Sequence, residues 1–126
     1  MIDLQKIEET HCWVTYIDKK GFPHEDEKYL IKYITDEQVR LQLAREKQVE
    51  KSSGKEQDGT EFVVSIASQA VMDWEGINSG GKKLPCTEQN KKILFTKFLH
   101  RAKFVLDMCQ KEELFLGDKM EEDLKN

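Results

Sequence analysis

Residues 70–92, AVMDWEGINSGGKKLPCTEQNKK, decide how this chain is put together. They set Trp74 between Asp73 and Glu75, just before a glycine-rich turn. Upstream, Phe62, Ile66, Ala70 and Trp74 recur every four residues, and Val63 and Ala67 widen the stripe. That periodicity predicts a helix, EFVVSIASQAVMDWEGI, with Thr60 as its cap. Gly76 is the expected stop, since glycine tolerates the left-handed conformation common past a helix end. Thr87 is the expected cap of a further helix reaching about residue 111. The stretch therefore reads as a helix–loop–helix corner, with Trp74 in the core fixing the angle between helix end and loop.

The turn NSGGKKLP differs from a phosphate-binding loop. That motif needs GxxxxGK followed by Ser or Thr, between a strand and a helix. Here Leu84 and Pro85 follow the lysines, and a helix is expected before the turn. Asp73 and Glu75, two apart on a helix, would point in different directions and make a poor acid pair. One would face Lys82 or Lys83, or simply water. Cys86, beside Pro85, has no base near it in sequence. The expectation is a noncatalytic protein with no cofactor and no metal.

Working outward, HCWVTYI (11–17) and KYLIKYI (28–34) are rich in β-branched and aromatic residues and read as strands. Alternation puts Trp13, Thr15 and Ile17 on one face and Cys12, Val14 and Tyr16 on the other. Tyr29, Ile31 and Tyr33 share a face of the second strand. About ten polar residues between the strands suggest an antiparallel hairpin with a long tip, which must rest on helices. Thr35 and Gln38 fit a capping box, with Asp36 and Glu37 in the first turn of the helix they open. Val39 and Leu43 would share its buried face, with Leu41 or Ala44 beside them. From Arg45 to Gly59, eight of fifteen residues are charged, so a mobile charged loop is expected over about 48–60. On the last long helix, Leu94, Phe98, Ala102, Val105 and Cys109 follow one face. Lys91, Lys92, Lys97, His100, Arg101 and Lys103 occupy much of the rest. Residues 117–126 are a polar tail.

The fold class expected is α+β: an N-terminal antiparallel hairpin packed on a C-terminal bundle of about three to four helices. A chain of 126 residues suits a single domain spanning 1–126, with a helical part over 61–116. Net charge is −4, with 20 basic against 24 acidic residues, a poor balance for nonspecific DNA binding. The longest apolar runs fall far short of the ~20 residues that a membrane helix needs. MIDLQKIEETH is charged where a signal peptide would be apolar, so the cytoplasm is the expected compartment. Cys12, Cys86 and Cys109 form no CxxC pair, and His11, His24 and His100 are scattered, so reduced thiols are expected in place of a zinc site.

The corner carries a likeness. Asp73-Trp74-Glu75-Gly76-Ile77, a short turn, then Leu84-Pro85-Cys86-Thr87-Glu88, Asn90 and Lys91 resembles small tail proteins of long-tailed bacteriophages and prophages. These are read as tail assembly chaperones or associated tail proteins. The likeness spans residues 62–126 and includes the terminal Lys125-Asn126; in the hairpin only element order is similar. The resemblance implies a noncatalytic protein that binds the tape-measure protein, keeping its apolar helical segments soluble while tube subunits polymerise around it. Self-association into a homo-oligomer would let many copies line one client. Asp73, Trp74, Glu75, Gly76, Pro85 and Cys86 are then the residues expected to bind the partner or form the corner. The competing reading is a phage-derived regulator that binds nucleic acid through Lys91, Lys92, Lys97, Arg101 and Lys103. A hydrolase, the third class, would need a deep pocket of converging titratable groups.

Overall fold

The strand HCWVTYI folds as its alternation requires. In the computed structural model, which describes residues 3–53 and 59–116, it forms β1 (His11–Ile17), with Val14 and Tyr16 buried and Trp13 and Ile17 exposed. A short helix α1 (Leu4–Glu9) precedes it, capped by the Asp3 carboxylate, which accepts the amides of Gln5 and Lys6. β2 (Pro23–Lys32) pairs antiparallel with β1. The connection is tighter than its polarity suggests. Asp18 Oδ1 accepts the backbone N–H groups of Lys20 and Phe22 at 2.9 and 3.0 Å, and Gly21 takes φ +87°. A side-chain-held turn of this kind lets PHEDE join the strand instead of forming a long tip. The register slips between Lys28, opposite Thr15, and His24, opposite Tyr16, so the extra residues bulge from β2 while β1 stays regular.

Thr35 and Gln38 make the expected capping box: the Gln38 amide donates to Thr35 Oγ1 at 3.1 Å, and the Thr35 amide donates to Gln38 Oε1 at 2.9 Å. They open α2 (Asp36–Ser53). It runs through residues 48–53, expected as loop, because Gln48, Glu50 and Lys51 are good helix formers without burial. The remainder of the expected mobile loop, 54–58, and the tail, 117–126, lie outside the described residues. The buried face of α2 is also corrected. Gln42 is buried, bonded to Gln69 of α3 at 3.0 Å and to Glu46 at 2.9 Å, while Leu41 and Leu43 face outward.

The main correction falls on the quoted stretch. α3 (Thr60–Ala70), with Gly59 and not Thr60 at its cap, ends six residues before Gly76 and passes directly into a strand, β3 (Val71–Glu75). β3 pairs antiparallel with β2, giving a three-stranded sheet in the order β1-β2-β3. Trp74 keeps its place in the core, but it does so opposite Tyr29 on a pleat. The four-residue recurrence is satisfied up to Ala70; beyond it, the backbone of β2 offers ladder partners that a lone helical turn lacks. The glycine turn becomes a miniature hairpin of β4 (Asn78–Ser79) and β5 (Lys82–Lys83). Gly80 and Gly81 both take positive φ, as a two-residue primed turn requires.

The long helix is broken in two, α4 (Glu88–Lys97) and α5 (Leu99–Cys109), at Phe98, which leaves the helical region with φ −123° and ψ 71°. Phe98, expected on the buried stripe, is 52% exposed. A 3-10 turn, Glu112–Phe115, follows and buries Phe115. α3 packs against α2, α4 and α5, and α5 lies against β1 and β2. The fold is α+β, an N-terminal hairpin on a helical bundle, with β3 inserted as a third strand.

Candidate functional site

Three groups of residues are candidates: the corner expected from sequence, a polar cluster under the sheet, and the outer face of the sheet.

The corner is real, and most of it braces the fold. The Trp74 indole N–H donates to the Leu84 carbonyl at 2.7 Å, and the Leu84 amide donates to the Ile77 carbonyl at 2.8 Å. These two bonds tie β3 to the far side of the β4–β5 hairpin. Thr87 caps α4 as expected, its hydroxyl accepting the Asn90 amide at 3.1 Å, and Asn90 Nδ2 donates to the Pro85 carbonyl at 2.9 Å. Gly76 takes φ +81° at the end of a strand, and a Cβ there would overlap the Asp26 carbonyl oxygen of β2. Only a residue without a side chain fits. Cys86 is half-buried, and burial raises its thiol pKa above the ordinary value. Because they sit on a strand, Asp73 and Glu75 share one face instead of diverging. Asp73 accepts its neighbour's amide at 2.8 Å and stands 3.9 Å from Lys83, partners that are both about half exposed.

The polar cluster is the part sequence reading missed. Glu27, in the bulge of β2, is buried and receives Arg101 of α5 bidentately: Nε to Oε2 at 2.7 Å and Nη2 to Oε1 at 2.9 Å. The Tyr29 hydroxyl also donates to Glu27 Oε2, at 2.6 Å. The Arg101 guanidinium lies 4.4 Å from the centre of the Tyr16 ring, and the Tyr16 hydroxyl meets His100 Nδ1 at 2.6 Å. Burial, reinforced by the Glu27 carboxylate, pushes the Tyr29 phenol well above its usual pKa. Glu27 in turn holds Arg101 more firmly protonated than usual, against a smaller opposing effect of burial. The cluster bolts α5 to the hairpin, and Phe98 steps out of the helix immediately before His100 and Arg101. The only sequence signal was a glutamate in a polar stretch, EDEK, which alternation alone cannot mark as buried.

Two of the five cations proposed for nucleic-acid contact are also placed. Arg101 belongs to this cluster, and Lys91 is buried, donating to the Ser68 carbonyl in the last turn of α3 at 3.2 Å and to Glu88 at 2.9 Å. Lys92, Lys97 and Lys103 face solvent.

The outer sheet face is different in kind. Cross-strand register puts Trp13 beside Leu30 and Leu30 beside Asp73, with Met72 turned outward by the slip at Leu30/Ile31. Trp13 and Met72 are each 44% exposed, and the helices pack on the opposite face, where Val14, Tyr16, Tyr29, Ile31 and Trp74 are buried. Thr15, Lys28 and Glu75 form the next row, so the apolar centre has a mixed polar rim.

Comparison with family models, curated proteins and solved structures finds no match to this chain. Among the described residues no group of three or more His, Cys, Asp and Glu side chains could hold a metal ion, and no helix is long and apolar enough to cross a membrane.

Proposed function

We propose that this protein is a noncatalytic binding protein whose outer sheet face receives an apolar helical segment of another polypeptide. The observation that carries the reading is the contiguous Trp13–Leu30–Met72 surface, apolar at its centre and rimmed by Lys28, Asp73 and Glu75. Aromatic and methionine side chains ringed by charges are what binding surfaces select, because they give large contact area with a soluble free state. A single tryptophan half-exposed beside a methionine has little to gain from water. Laid across three strands, an amphipathic helix would cover the patch with its apolar face and meet charges of both signs at the edge.

The resemblance to tail assembly chaperones suggests the client, the helical segments of a tape-measure protein. On this reading Asp73 and Glu75 join the contact surface, whereas Trp74, Gly76, Pro85 and Cys86 hold it in shape. Nucleic-acid binding along α4 and α5 is the weaker reading, because Arg101 and Lys91 already serve internal partners.

The test is co-expression of the full chain with a tape-measure protein from a long-tailed phage. The expected result is a soluble complex that Met72→Glu and Trp13→Ser abolish while circular dichroism and melting stay unchanged. A complex that survives both substitutions, or a chain that never solubilises the client, would remove the outer face from consideration.

A further inference from the structure

The turn between β1 and β2 and the break between α4 and α5 line one cleft of about 550 Å³, a size within the ~300–1,000 Å³ that small-molecule sites occupy. Buried Tyr16 lies at its base with His100 and Arg101; Lys19 and Lys20 enter from the turn, and Lys97 and Phe98 from the helix break. The charge of the cleft follows from which groups are already occupied. Asp18 is its only carboxylate. Oδ1 accepts the amides of Lys20 and Phe22, and Oδ2 meets His24 Nε2 at 2.9 Å. Glu27 takes up the charge of Arg101 from beneath. Lys19, Lys20 and Lys97 are exposed, and among the described residues none of them makes an ion pair. Three cations therefore stand without a counterion around one cleft, in a chain whose net charge is −4. Phe98 adds a phenyl ring that is 52% exposed, with the Arg101 guanidinium 5.4 Å from its centre. His100 engages Tyr16 through Nδ1, and its Nε2 has no partner among the described residues.

We infer that this cleft binds a nucleotide, with the phosphate among Lys19, Lys20 and Lys97 and the base against the Phe98 ring. Lysine serves phosphate as a flexible point charge that needs no fixed fork geometry. That suits two lysines on a turn and one at a helix end. Stacking on an aromatic ring accepts any base, so the ligand is assigned as a class, with no preference among bases. Inorganic phosphate would use the lysines without the ring, and a nucleoside the ring without the lysines. Tyr16 is on the face of β1 opposite Trp13. The cleft is thus separate from the outer sheet face, and it stands whether or not that face binds a client.

Amide chemical shifts of the full chain, followed by NMR at low salt, test this with AMP, adenosine and inorganic phosphate as separate probes. The expected result is saturable binding of AMP with a Kd of about 0.1–1 mM, its shifts centred on residues 18–22 and 97–101. Phosphate and adenosine should each bind about tenfold more weakly, since each uses half of the site. Lys19→Gln, Lys20→Gln and Lys97→Gln together should weaken AMP about tenfold or more, each exposed charge being worth a factor of about two to five. Phe98→Leu keeps the apolar bulk and removes the ring, so it should bring AMP down to the affinity of phosphate and leave phosphate unchanged. Lys92→Gln with Lys103→Gln, exposed lysines outside the cleft, should alter neither. Thermal melts of all the variants should match the parent, which separates loss of the site from loss of the fold. No saturable shift with AMP up to about 10 mM overturns the proposal. So does AMP binding that the triple lysine change leaves intact, or phosphate binding as tight as that of AMP.

Discussion

Replacing Gly76 with alanine isolates the close approach that shapes the corner. Two costs are separable. An L-residue held at φ +81° is disfavoured by about 1–2 kcal/mol. The added Cβ would also sit 2.7 Å from the Asp26 carbonyl carbon and 3.1 Å from Glu27 Cα, in addition to overlapping the Asp26 oxygen. Those are backbone atoms, so no rotamer change relieves the overlap and β2 must shift, at a further cost of about 1–3 kcal/mol. The sum is about 2–5 kcal/mol. Gly80→Ala is the control: φ is +60° and nothing lies within 4 Å of its would-be Cβ, so only the conformational cost applies. Urea unfolding followed by far-ultraviolet circular dichroism, at unchanged m-value, reads both changes. If Gly76→Ala costs no more than Gly80→Ala, the account of β2 and the corner as a rigid contact is wrong.

Other perturbations probe the remaining supports. Arg101→Met leaves Glu27 buried without its counterion and should cost about 3–5 kcal/mol; adding Glu27→Gln should recover much of that loss in the same urea assay, and no recovery would mean the pair is not the support. Trp74→Phe removes the indole N–H from the Leu84 carbonyl, with an expected cost of about 1–3 kcal/mol, while Trp74→Ala adds a cavity and should reach about 3–5 kcal/mol; a Trp74→Phe variant as stable as the parent would contradict the hydrogen bond. Burial pushes the Cys109 thiol from an ordinary 9.0 to about 12. Between those values the unfolded chain releases a proton that the folded chain keeps, so stability should fall as pH rises from 9.0 to about 12, by at most ~4 kcal/mol. Cys109→Ala should make that slope shallower without abolishing it, because the buried Tyr29 phenol titrates in the same sense, and an unchanged slope would place the titration elsewhere.

Sequence alone carried the elements whose signals are local. The alternation in HCWVTYI, the Thr35–Gln38 box and the Thr87 cap each depend on neighbours in the chain, and each appears as expected. Fold class followed from them. What sequence could not disclose is decided by tertiary competition. Val71–Glu75 suits a helix by period and a strand by its β-branched and aromatic residues, and the open backbone edge of β2 settles the matter. The break at Phe98 has no glycine or proline to announce it. It coincides with the docking of Arg101 on buried Glu27, a pairing 74 residues apart. Gly76 was legible as a position needing positive φ, though for a different reason from the one its helix suggested. Of the residues expected to touch a partner, Trp74 turns inward. The surface that could bind, Trp13 with Leu30 and Met72, was hidden because its members come from three strands whose register only the fold supplies.

On the proposed function, the separation of these groups makes support of the fold and partner binding distinguishable. The corner and the Glu27–Arg101 cluster both act on β2: one presses Gly76 against its Asp26–Glu27 segment, and the other anchors the same segment to α5. β2 is the middle strand, so fixing it fixes the outer face that β1, β2 and β3 share. Rigidity supplied from beneath lets that face keep Trp13 and Met72 exposed without relaxing inward, because the inner face is already filled by Tyr29, Ile31 and Trp74. Substitutions on the two faces should then part company. Those at Gly76, Trp74 or Arg101 should lower stability and weaken binding only as far as the fold is lost. Those at Trp13 or Met72 should lower binding in a protein that melts as before, a separation that a uniformly packed fold without a partner surface would not produce.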